Sequence, residues 1–135
     1  SGGAWSIVVD FSSLAEGNVS ITADVDDLAG NSATSASANV TVDRTVPTLT
    51  INSPIAGDDI INISEVSSVT VSGTSDAEDG RTVTLTIFDG STTLNPSAVV
   101  SGSSWSVPVD FSSLADGNVT ITADVSDLAG NPATS

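Results

Sequence analysis

The stretch DVSDLAGN, residues 124–131, sets Asp124, Asp127 and Asn131 within one short loop, and the same three residues recur one hundred positions earlier as Asp24, Asp27 and Asn31. Asp76, Glu78 and Asp79 crowd into SDAEDG, and Asp43 opens DRTVP. Every candidate ligand here is an oxygen, with no His or Cys beside it. Such a donor set selects a hard cation, and many carboxylates on flexible loops suit Ca2+ better than Mg2+. The competing chemistry is local: Asp and Asn cap turns and Gly supplies positive φ, which by itself would account for DLAGN. A second acidic group, Asp58, Asp59 and Glu65, lies in GDDIINISE, where metal and turn are equally served. Neither pattern is an EF-hand. Counting from Asp76, the fifth position is Gly80 and the twelfth is Ile87, where that loop needs an oxygen ligand and a bidentate Glu. Any ion site must therefore be assembled across loops.

The overall charge narrows the partners. Seventeen acidic residues face two basic ones, Arg44 and Arg81, for a net charge of −15. DNA, RNA and anionic membranes repel such a chain, whereas cations are drawn to it. Catalysis is not expected: without His, Cys or Lys, the familiar bases for activating a Ser hydroxyl are missing. Acids on polar loops also lack the apolar pocket that raises one carboxyl pKa for glycoside cleavage. With no Cys, disulfide staples are excluded. No run of eighteen apolar residues and no basic, apolar leader is present in these 135 residues.

The elements that must carry those loops are strands. Leu, Ile, Val and Phe make up 36 of 135 residues, enough for a folded core. Val, Ile and Thr dominate, which favours pleated surfaces. Strict alternation marks TLTIN (48–52), SVTVSGT (68–74), RTVTLTIF (81–88), TLNPSAVV (93–100), SWSVPVD (104–110), NVTITADV (118–125) and, in the earlier copy, SASANVTVD (35–43). Seven short strands joined by Gly-, Asp- and Ser-rich turns predict an all-β, immunoglobulin-like antiparallel β-sandwich. Trp5 with Phe11, and Trp105 with Phe111, are expected to fill one end of each core. Pro108 falls inside a strand, so its missing N–H should face away from a ladder.

Residues 1–35 align without gaps on 101–135 with 27 identities, a duplication with a 100-residue period. The phase places a boundary near Arg44. Residues 1–43 read as the C-terminal three strands of one repeat, and 44–135 as the next repeat lacking most of its last strand. In such a sandwich the second-to-third and sixth-to-seventh strand loops share a pole with the entering linker. Asp43, Asp76, Glu78, Asp79, Asp124, Asp127 and Asn131 should then converge, and carboxylates that crowd together in low dielectric call for either proton uptake or a counter-ion. Glu16 and Asp116 are read as turn residues, with Glu16 at the pole that faces the next linker.

DRTVPTLTINSPIAGDDIINISE, SGSSWSV, LADGNVTITADVSDLAGN and the period together resemble the bacterial immunoglobulin-like repeats that form the extender regions of giant adhesins of the repeats-in-toxin and biofilm-associated type. The likeness covers the whole chain. It implies a secreted, cell-surface stalk whose partners are neighbouring repeats of the same chain, with calcium at or near the linkers. On matching positions it supports Asp43, Asp124, Asp127 and Asn131, and likewise Asp24, Asp27 and Asn31. An adhesive or carbohydrate-binding module is the alternative reading, but all the aromatic residues except Phe88 sit at repeated, core-like positions.

Overall fold

The computed structural model describes residues 3–135 and divides into two compact units, Ser1–Arg44 and Thr45–Ser135. Nine strands are described: β1 (Gly17–Ala23), β2 (Ala36–Val42), β3 (Val69–Thr74), β4 (Thr82–Phe88), β5 (Thr93–Leu94), β6 (Ser97–Val99), β7 (Ser104–Val109), β8 (Thr120–Ser126) and β9 (Pro132–Thr134).

The second unit is built of two antiparallel sheets. One pairs β3 with β7, and the extended segment 48–52 lies along β3, with Thr50 N–H donating to the Thr74 carbonyl at 2.9 Å and Asn52 N–H to the Ser72 carbonyl at 2.8 Å. The other has β4 at its centre, flanked by β5 and β6 on one side and by β8 and then β9 on the other. The alternating sequence explains the layering, since successive side chains of a strand point to opposite faces. Val69 and Val71 of β3, Val83, Leu85 and Ile87 of β4, Trp105 and Val109 of β7, and Ala123 and Val125 of β8 all turn inward to one core with Phe111. The intervening Thr and Ser face outward. Each fully buried aliphatic side chain contributes on the order of 1.5–3 kcal/mol.

The stretch 93–100, expected to be one strand, forms two. The β4–β5 and β4–β6 pairings keep a single register on either side of the gap, with Ile87 opposite Leu94 and Thr84 opposite Ser97. Pro96 between them has no N–H to give, although its carbonyl still accepts from Leu85 N–H at 2.8 Å. The ladder is interrupted, not shifted. Pro108 stands opposite Thr70 in β7, which pairs with β3 alone among the described strands, so its missing donor costs no central ladder bond.

The first unit is a hairpin of β1 and β2, running from Gly17 opposite Val42 to Ala23 opposite Ala36. Three strands were expected there, and residues 3–10 form none. In the second unit the equivalent β7 is held by β3, but these 135 residues contain no copy of β3 for the earlier SGGAWSIVVD to pair with. For the same reason Trp5 does not fill a core: it is 72 % exposed, whereas Trp105 is 3 % exposed. A strand exists only with its partner, whatever its own alternation.

Candidate functional site

Three segments of the second unit meet at one pole: the start of the unit at Thr48, the β3–β4 loop, and the β8–β9 loop. Thr48 N–H donates to Asp76 Oδ1 at 2.6 Å. Leu128 N–H donates to Glu78 Oε2 at 2.8 Å, and Arg81 Nε donates to the Ser126 carbonyl at 2.7 Å. Glu78 and Arg81 thus tie two loops that are far apart in sequence. Asp79 Oδ1 takes the Gly102 N–H at 2.9 Å, which links the same loop to the turn before β7.

The DLAGN loop closes on itself. Asp127 Oδ1 accepts N–H donors from Gly130 and Asn131, each at 2.8 Å, and Oδ2 accepts Asn131 Nδ2 at 2.9 Å. Asp127 is only 6 % exposed. Its carboxyl is nevertheless held below its ordinary pKa, first by the Asn131 side chain and further by backbone N–H groups, while burial pulls the other way. Asp27 repeats this chemistry in the first unit, with Asn31 Nδ2 at 2.8 Å from Oδ2 and the Asn31 and Ala29 N–H groups on Oδ1. The Asn31 side chain is again the main cause of a lowered pKa. Gly30 and Gly130 have φ of 88° and 96°, the left-handed region in which Gly is at ease. Asp24 accepts the Ser35 hydroxyl, and Asp124 accepts the Thr134 hydroxyl.

The second acidic group also serves its own loop. Asp58 Oδ1 takes the Ile60 N–H at 3.0 Å, Asp59 Oδ1 takes the Ile55 N–H at 2.7 Å, and Glu65 Oε2 takes Asn62 Nδ2 at 2.6 Å. Asp43 lies in the first unit, immediately after β2.

The loops therefore come together while their carboxylates disperse onto neighbouring N–H donors. Among the described residues no three acidic side chains gather closely enough to hold one metal ion. Within either unit the donor set has the right chemistry for a hard cation, but as placed it does not form a ready cage, because the carboxylates of Asp76, Glu78, Asp79 and Asp127 take backbone N–H donors and those of Asp24 and Asp124 take side-chain hydroxyls.

Two features lay outside the sequence reading. Arg44, taken there as a boundary mark, holds the 11–14 loop by its guanidinium: Nη1 donates to the Phe11 and Ser12 carbonyls at 3.3 and 3.4 Å, and Nη2 to the Leu14 carbonyl at 2.6 Å. That only two cations stand among seventeen acids was the signal that could have flagged it. The other is Gly73, which lies under the Trp105 indole.

The model of the bacterial Ig-like domain (group 3) family matches residues 3–135. The chain belongs to this family. Two solved structures extend the likeness of this bacterial Ig-like chain. One is described as the crystal structure of a tetra-tandem repeat in the extending region of a large adhesion protein: it is 33 % identical with a TM-score of 0.62, over 94 % of this chain and 32 % of that one. The other comes from work on host cell surface retention of a 1.5-MDa bacterial ice-binding adhesin, and is 36 % identical with a TM-score of 0.53, over 87 % of this chain and 39 % of that one. The bacterial Ig-like chain thus spans about a third of the first of these structures and about two fifths of the second. Among curated proteins nothing matches it significantly. No helix among the described residues is long and apolar enough to cross a membrane.

Proposed function

We propose that this chain is a stretch of a tandem-repeat stalk that extends a large bacterial adhesin from the cell surface, its work being mechanical and not catalytic. The observation that carries the reading is the 100-residue internal duplication in a bacterial Ig-like chain, together with its 33 % identity to the extending-region repeat over 94 % of its length. A sandwich whose loops are tied together by Glu78 and Arg81, with one of them closed on itself by Asp127, suits a spacer, because a load along the chain meets hydrogen-bonded loops at the pole of the unit and not frayed ends. The partners are the neighbouring repeats of the same chain, and the adhesion target is bound by other domains. Surface display by secretion in the repeats-in-toxin manner is part of the same proposal.

The finer part is that calcium is the counter-cation and stiffens the array. Its support is the net charge of −15 and the presence of Asp76, Glu78, Asp79 and Asp127 on the loops of one pole, with Asp124 near the end of β8. A carboxylate can accept several bonds, so capping a turn leaves capacity for a cation. Melting the chain in calcium and in EDTA tests this part. At about ten times its Kd each bound ion adds roughly 1.4 kcal/mol, so a calcium-dependent rise in Tm is expected and coincident melts would discard it.

A further inference from the structure

The free edge of β7 is a template for another strand unless its outward backbone groups are withdrawn. Which groups those are follows from the ladder, because successive residues of a strand turn their N–H and C=O alternately to one side and the other. The Thr74 and Ser72 carbonyls of β3 accept from Thr50 and Asn52, on the side away from β7. Their partners across the β3–β7 pairing are Ser104 and Ser106, and the next in step is Pro108, opposite Thr70. These three residues therefore turn their backbone groups away from β3, to the edge. The last strand that this repeat lacks belongs beside β8, as β2 lies beside β1 in the first unit, and leaves β7 an edge of the completed sandwich as well.

Two of the three are withdrawn. Ser104 N–H donates to the Ser101 carbonyl at 3.2 Å, and the Ser104 carbonyl accepts the Ser101 N–H at 2.9 Å. Pro108 has no N–H to offer, and its ring stands where a neighbouring strand would approach. Between them only Ser106 turns both a donor and an acceptor outward. The edge of the other sheet is blunted differently: β5 and β6 are two and three residues long and are separated at Pro96.

The duplication gives this closure its importance. Copies that share 27 of 35 residues on one chain meet at an effective concentration far above that of separate molecules. Like edges that zip together give the misassembly typical of repeat proteins. The first copy has Val8 at the position of Pro108 and keeps an N–H there. One closed member is enough to stop a pair of edges from zipping, so neighbours that differ at this residue stay apart.

We propose that Pro108, together with the Ser101–Ser104 clasp, closes the β7 edge to strand addition by another copy of this chain. The clasp covers the start of the strand and the proline its end, so an incoming strand finds a single residue to pair with. The closure belongs to the second unit's own strand and does not depend on the stalk reading.

The test compares the 135-residue chain with its Pro108→Val and Pro108→Ala variants, by sedimentation at high salt, which screens the −15 charge, and by amide exchange. Pro108 is exposed and the first copy carries Val in its place, so neither change enters the core. The parent is expected to stay monomeric. Both variants are expected to self-associate roughly tenfold more tightly, since each antiparallel pair of edges regains two donors, and association should slow exchange of the amides at positions 106 and 108. Variants as monomeric as the parent overturn the closure, and so does a parent that itself associates through β7. Association by Pro108→Val alone, or without protection in 104–109, assigns the contact to an apolar side chain and overturns it too. Each of these failures leaves the stalk reading standing, since that reading is decided by the dimensions of multi-repeat chains.

Discussion

Gly73 of β3 stands directly opposite Trp105 of β7, and the indole ring occupies the space that a Gly73 side chain would need. A Cβ built there would lie 2.5 Å from Trp105 Cζ2 and 1.8 Å from the Thr50 carbonyl oxygen. The backbone on both sides of the ring is fixed, by the β3–β7 ladder and by the Thr50–Thr74 bond, so neither neighbour can give way cheaply. Gly73→Ala is therefore expected to destabilise the second unit by about 3 kcal/mol or more, as overpacking does in an interior without slack. Urea unfolding followed by Trp fluorescence measures it, and a variant within 0.5 kcal/mol of the parent, roughly the scatter of surface substitutions, would contradict the geometry.

The duplicated tryptophans offer a comparison within one chain. Trp105→Ala removes a buried side chain and is expected to cost about 3–5 kcal/mol. Trp5→Ala removes an exposed one and should stay within about 0.5 kcal/mol. Losses of similar size at both positions would mean that the first copy has a core which residues 3–10 help to build.

Acid should weaken the protein through Asp127 and its relatives. Hydrogen bonds hold the carboxyls of Asp10, Asp27, Asp89, Asp110 and Asp127 below the ordinary Asp value. A depressed folded-state pKa gives stability that is complete above the unfolded value of about 3.9 and is lost as pH falls through the folded value. Relief of the −15 charge works in the opposite direction, so the sign is isolated by comparison. Below about pH 4 the parent should lose stability more steeply than Asp127→Asn, which has no such proton to take up. Parallel pH profiles would remove Asp127 from the account.

Arg44→Lys keeps the charge and loses the fork. Exchange of the Leu14 and Gly17 amides should accelerate roughly tenfold while the β4 amides stay protected, because the change is local to the first unit. Hydrogen-exchange mass spectrometry reads both regions in one experiment. Unaltered exchange at Leu14 would show that the guanidinium contacts contribute nothing to the order of the loop.

Much of the sandwich was legible because its signal is period two. RTVTLTIF and SVTVSGT alternate cleanly, and their Val, Leu and Ile are the residues found inside. What could not be read was pairing. Trp5 and Trp105 sit in nearly the same words, yet only the second copy has β3 beside it, and no local pattern records whether a partner is present. The direction of the carboxylates was equally hidden: Asp127 and Glu78 do sit on loops that meet, but whether an oxygen faces an ion or an N–H depends on side-chain rotation and loop closure, which residue types alone leave open. Gly73 escaped notice because one Gly in a strand reads as a weak point until the ring above it is placed.

The stalk reading is tested most directly by small-angle scattering from chains with two, three and four copies of the 100-residue repeat, in calcium. A maximum dimension that grows by a constant step per copy is the predicted result. Copies that add mass while the particle stays compact, with a maximum dimension that barely increases, would contradict it.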